Sequence, residues 1–92
     1  MIIWPLAQLE KDFAIDQQIG KGQYGQVFLA RWKTKEDSAV AIKLLKCKRA
    51  SEKLQMRDEI AILKQLDHEN VIKILGAYED YDQFAQVLEF LR

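Results

Sequence analysis

Gly20-Lys21-Gly22-Gln23-Tyr24-Gly25-Gln26-Val27 is the stretch on which the reading of this chain turns. Lys43 follows Val27 by 16 residues and closes the tetrapeptide Val40-Ala41-Ile42-Lys43. Glu59 follows Lys43 by another 16 residues. Glycines without Cβ atoms let a backbone approach phosphate oxygens and aim its N–H groups at them. A glycine turn, a strand lysine and a helix carboxylate in that order suit the cradling of a nucleotide's phosphates.

A bare G-x-G-x-x-G string has two common settings. In a dinucleotide-binding unit it joins a strand to a helix, and an acidic residue follows on a second strand. Here the run after the glycines, Val27-Phe28-Leu29-Ala30-Arg31-Trp32, is rich in β-branched and aromatic residues and reads as a strand. No carboxylate closes a second strand at the required distance. The glycines therefore sit in a strand-turn-strand unit.

The periodicities place the candidate groups. Val27 and Leu29 share one face of their strand, with Phe28 and Ala30 on the other. Ala41 and Lys43 share a face of the next strand, opposite Val40, Ile42 and Leu44. Lys43 interrupts an apolar run, where a charge is costly unless paired. Ser51 is the expected N-cap of a helix running to about Leu66, with Glu52 in its first turn. At about 100° per residue, Met56, Glu59, Ile60, Leu63 and Leu66 fall in a stripe roughly 120° wide. A carboxylate inside such a stripe needs a cation, so Lys43 and Glu59 are expected to pair. A snorkelling lysine and a partly exposed glutamate are the alternative.

Taken together these pieces resemble a protein kinase over about Phe13 to Arg92. The resemblance rests on Gly20-x-Gly22-x-x-Gly25-x-Val27, Val40-Ala41-Ile42-Lys43, Glu59 with Leu63, His68-Glu69-Asn70-Val71-Ile72, and Val87-Leu88-Glu89-Phe90. It implies an α+β fold: the kinase small lobe, a five-stranded antiparallel sheet with one packed regulatory helix. The strands are expected at Phe13–Gly20, Gly25–Lys33, Ser38–Lys46, Ile72–Tyr78 and Phe84–Phe90, with polar links at Lys33–Asp37 and Glu79–Gln83. Residues 1–12 are a lead-in segment or linker, in which Trp4 either docks on the lobe or does not. Residues 13–92 form an incomplete kinase domain that ends at the hinge.

The resemblance also implies roles. Lys43 contacts the α- and β-phosphates of ATP, and Glu59 orients it through an ion pair. The loop Gly20, Lys21, Gly22, Gln23, Tyr24 and Gly25 covers the phosphates. Val27 and Ala41 line the adenine, and Leu88 is the gatekeeper beside it. The backbones of Glu89 and Leu91 hydrogen-bond the base. Leu63 and Ile74 match a hydrophobic column that assembles on activation. His68 has a structural role, since a lone histidine makes no metal site.

A working kinase also needs an H-R-D aspartate, a downstream asparagine and a D-F-G aspartate. None occurs in these 92 residues. Mg²⁺ and the protein substrate would then be held only by a large lobe outside this sequence, and the 92 residues alone are expected to transfer no phosphate at a useful rate. The leading reading is the ATP-binding lobe of a kinase acting on a protein hydroxyl. The second is a pseudokinase or truncated regulatory module that binds partners without catalysis. Ile74-Leu75-Gly76-Ala77 and Val27–Trp32 lean toward tyrosine kinases or tyrosine-kinase-like enzymes.

Composition agrees with a folded domain. The hydrophobic share is 49%, and 14 basic residues balance 14 acidic ones, which removes the electrostatic case for nucleic acid. The basic stretch from Arg31 to Lys53 reads as a solvated face. No apolar run approaches the roughly 20 residues that cross a bilayer. The single Cys47 excludes an internal disulfide and fits a reducing compartment. A cytoplasmic location is expected, either as a cytosolic enzyme or as the cytoplasmic part of a membrane receptor.

Overall fold

Alternating side chains from Phe13 to Lys46 build three long strands. The computed structural model describes residues 2–21, 25–47, 49, 51–52, 54–55 and 73–89, with the backbone alone for 35–38. In chain order it contains β1 (Ile3–Pro5), a 3₁₀ turn (Leu6–Gln8), α1 (Leu9–Asp12), β2 (Phe13–Lys21), β3 (Gly25–Trp32), β4 (Lys35–Lys46), β5 (Ile74–Glu79) and β6 (Gln83–Glu89). They form one sheet in the order β1-β5-β6-β4-β3-β2. β1 runs parallel to β5, and every other neighbouring pair is antiparallel.

The five expected strands are thus present, and a sixth joins them. Ile3, Trp4 and Pro5 pair with Ala77, Tyr78 and Glu79. Trp4 is therefore docked by its backbone, while half of its side chain stays exposed. Pro5 is tolerated because β1 is an edge strand. The expected polar link Lys33–Asp37 shrinks to the turn at Lys33 and Thr34. Trp32 pairs with Lys35 across a register shift, so β4 begins three residues earlier than its composition suggests. The β5–β6 turn is held by Asp80, whose Oδ1 accepts the Asp82 and Gln83 amides at 3.1 and 3.0 Å.

Register assigns the buried residues to two faces. Phe13, Ala30, Val40, Ile42, Tyr78, Ala85 and Val87 pack on one face together with Leu9 of α1. Phe13 meets Trp32 in a tilted contact at 4.2 Å between ring centroids and meets Tyr78 edge-on at 6.1 Å. Such aromatic pairs add to area burial. Asp12 ties α1 to this face: its Oδ2 accepts the Tyr78 hydroxyl at 2.8 Å, its Oδ1 accepts the Gln8 amide at 3.1 Å, and its carbonyl accepts the Lys33 amide at 3.0 Å. Burial holds the Tyr78 phenol well above its usual range, and the Asp12 carboxylate adds to the effect. The opposite face carries Ile74, Ala77 and Phe84 with Cys47, and Ile3 and Leu88 pack against them.

Residues 51–52 and 54–55 are helical, where the regulatory helix is expected to start. Ser51 is already in the helix, and the Glu52 amide donates to the Arg49 carbonyl at 3.1 Å. The remainder of that helix, with Met56, Glu59, Ile60, Leu63 and Leu66, lies outside the described residues, as do His68 and Phe90.

Candidate functional site: a four-strand patch around Lys43

The second face carries the candidate site. Across it Gly20 on β2 stands beside Val27 on β3, Val27 beside Lys43 on β4, and Lys43 beside Gln86 on β6. One rung further, Leu29 stands beside Ala41, Ala41 beside Leu88, and Leu88 beside Ile74 on β5. Side chains alternate along a strand, so residues two apart on β3, β4 and β6 put both rungs on one face. With neighbouring strands 4.7–4.9 Å apart, the patch from β2 to β6 is about 14 Å wide.

The structure thus brings together Gly20, Val27, Ala41, Lys43 and Leu88 from four strands. Lys43 is exposed. The expectation of a desolvated lysine in an apolar run therefore gives way to the exposed alternative: period 2 sends Val40 and Ile42 to one face and Lys43 to the other, where Lys43 is exposed although Ile74, Ala77 and Phe84 are buried further along that face. Lys21 is exposed at the end of β2, opposite Gln26. Ile74, the expected column residue, is buried beside Leu88. Gly22, Gln23, Tyr24, Glu59, Leu63 and Leu91 lie outside the described residues.

Two loop glycines differ in their surroundings. A Cβ on Gly20 would meet only the Val27 side chain, at 3.6 and 3.8 Å. A Cβ on Gly25 would collide with the Leu44 carbonyl oxygen and lie 3.1 Å from Leu45 Cδ2. Gly25 is therefore required by the β3–β4 packing itself. Glu89, at the end of β6, donates its N–H to the Lys73 carbonyl at 2.9 Å. That N–H is therefore already engaged within the sheet.

Sequence reasoning missed Gln86. Its signal was parity: Phe84, Gln86 and Leu88 alternate along one strand, so a polar residue two before Leu88 had to share that residue's face. Which strand lay beside it was not readable from the pattern.

A mixed sheet whose antiparallel hairpin sets a glycine-flanked strand against a V-A-I-K strand defines a kinase-type small lobe. The family model for protein tyrosine and serine/threonine kinases matches residues 13–92, and the chain belongs to that family. It is 43% identical over 82 residues to calcium-dependent protein kinase 5 of Plasmodium berghei, covering 88% of this chain and 14% of that protein. It is 30% identical over 86 residues to the human NT-3 growth factor receptor, covering 89% of this chain and 10% of that protein. The chain thus spans 14% or less of these curated relatives. In fold it superimposes on the twitchin kinase fragment of C. elegans with a TM-score of 0.82 at 23% identity, over 88% of this chain and 18% of that one. Among the described residues no helix is long and apolar enough to cross a membrane.

Proposed function

We propose that this chain is the ATP-binding lobe of a protein kinase that transfers the γ-phosphate of ATP to a tyrosine or serine/threonine hydroxyl. The observation that carries the reading is the shared face of Gly20, Val27, Ala41, Lys43 and Leu88. A solvated ammonium beside a glycine-flanked strand suits phosphates, and a small Ala41 between Leu29 and Leu88 suits a flat base. Lys43 holds the α- and β-phosphates, and Glu59 is its orienting partner. The turn Gly20-Lys21-Gly22-Gln23-Tyr24-Gly25 supplies backbone N–H groups to the phosphates. Val27, Ala41 and Leu88 bound the adenine, and the Glu89 carbonyl with the Leu91 backbone orients it.

No H-R-D or D-F-G motif occurs in the 92 residues. The base for the accepting hydroxyl and the Mg²⁺ ligands are therefore assigned to a large lobe, which also chooses the protein substrate. Residues 13–92 serve as the lobe proper, with the preceding segment docked on it through Ile3–Pro5 and Leu9–Asp12, in a protein working in the cytoplasm. The test is phosphoryl transfer from labelled ATP by the natural protein. Lys43→Met is expected to abolish transfer while leaving folding intact, because an exposed side chain away from the core shifts stability by only about ±0.5 kcal/mol. Full activity in that variant would refute the role of Lys43. Labelled nucleotide bound without transfer in the natural protein would favour the pseudokinase reading.

A further inference from the structure

We infer that Gln86 is a positioning residue for Lys43, and so sets how strongly the lobe grips phosphate; the inference rests on the nucleotide reading above. Gln86 and Lys43 are direct cross-strand partners on the same face of β6 and β4. Direct partners hold their Cβ atoms about 4.5–5.5 Å apart, within reach of two long polar side chains. On its other side Gln86 faces Ala77 of β5, too small to fill the neighbouring space and without a polar side chain. Along β6 its same-face neighbours are the buried Phe84 and the half-buried Leu88. Among the described residues, a half-buried amide flanked in this way has one polar neighbour in its rung, the Lys43 ammonium.

The chemistry of the amide suits the task. Its Oε1 accepts a hydrogen bond from Nζ, while the group carries no charge. Lys43 would be held toward the patch without Gln86 drawing on the charge that a phosphate needs. A carboxylate at the same place would compete with the phosphate for that charge. The structure draws no bond between the two side chains; the inference concerns the placement of Lys43 once phosphate oxygens take its remaining donors. Gln86 also lies two residues from Leu88, on the phosphate side of the base pocket, so it is placed to influence phosphate without touching adenine.

The test compares ATP with adenosine, which lacks the phosphates, as ligands of the natural protein. Gln86→Met keeps length and packing volume and removes the acceptor. It is expected to raise the Kd for ATP roughly 2- to 12-fold, the net worth of one hydrogen bond. The Kd for adenosine and the melting temperature stay unchanged. Gln86→Glu should weaken ATP relative to adenosine as well, by competition for the ammonium. The inference is overturned if Gln86→Met leaves the ATP affinity intact. It is equally overturned if ATP and adenosine weaken together, which would mark a packing role. A failure of the underlying reading looks different: Lys43→Met would then leave the preference for ATP over adenosine unaltered.

Discussion

Replacing Gly25 by alanine tests whether that glycine is held by packing as well as by any ligand. The added Cβ would be driven into the Leu44 carbonyl oxygen and would stand 3.1 Å from both Leu44 C and Leu45 Cδ2. The principal obstacle is backbone, so no rotamer change relieves it. The ladder must open where Gly25 faces Leu45 and Gln26 faces Leu44. Overpacking of this kind costs about 1–3 kcal/mol, which corresponds to about a 5- to 140-fold larger open population. Gly20→Ala is the matched comparison. Its Cβ makes only ordinary contact with Val27 at 3.6 Å or more, and restricting the unfolded chain is worth up to about 1 kcal/mol in its favour. Amide hydrogen exchange on the natural protein reads the difference locally, strand by strand. Peptides covering Gly25–Trp32 and Lys35–Lys46 should exchange faster in Gly25→Ala and not in Gly20→Ala. Equal exchange in both variants, or faster exchange in Gly20→Ala alone, would show that the β3–β4 approach is not what excludes a side chain at position 25.

Further outcomes follow from the hydrogen bonds. Tyr78→Phe removes the 2.8 Å bond to Asp12 and should destabilise the fold by about 1.5–3 kcal/mol in denaturant unfolding, because the acceptor is a carboxylate. Because burial and Asp12 hold the folded-state phenol above its usual range, the folded chain binds more protons than the unfolded one once the pH passes about 10. Stability attributable to Tyr78 is thus complete below that pH and declines as the pH rises; unfolding curves from pH 8 to 11 should show a fall that is smaller in Tyr78→Phe. Asp80→Ala deletes the acceptor of the Asp82 and Gln83 amides and should cost about 1 kcal/mol. Asp80→Asn, which keeps an acceptor oxygen, should cost less in the same melts.

Residues 3–12 do more than lead into the fold. Leu9 is buried with Phe13 against Ile42 and Val87, and Asp12 joins α1 to Tyr78 on β5 and to the amide following β3. Their composition gave no warning of this. A three-residue strand carries too little alternation to be seen, and Ile3-Trp4-Pro5 contains a proline that ordinarily argues against a strand. A place at the sheet edge removes that objection.

The site was legible in part. Ala41 and Lys43 were placed on one face by period alone, and their strand bears that out. The exposure of Lys43 followed the weighed alternative, because an apolar run does not show how completely each position of a partly covered face is shielded. The Gly25 packing was invisible, since it depends on how closely β3 approaches β4 at Leu44. Glu89 shows the same limit: its N–H is committed to Lys73, a residue brought close only by β5 pairing with β6.

The order of residues by itself determined which side chains share a face within each strand, because that parity follows from the pleat and needs no neighbour. It likewise determined that a lysine and a run of glycines flank one hairpin. Tertiary structure alone decided that β6 lies between β4 and β5, and so that Leu88 stands beside Ala41, Gln86 beside Lys43, and Ile3–Pro5 along β5. Strand neighbourhood and register are settled by pairing between distant segments, whose free energy no local window of the chain contains.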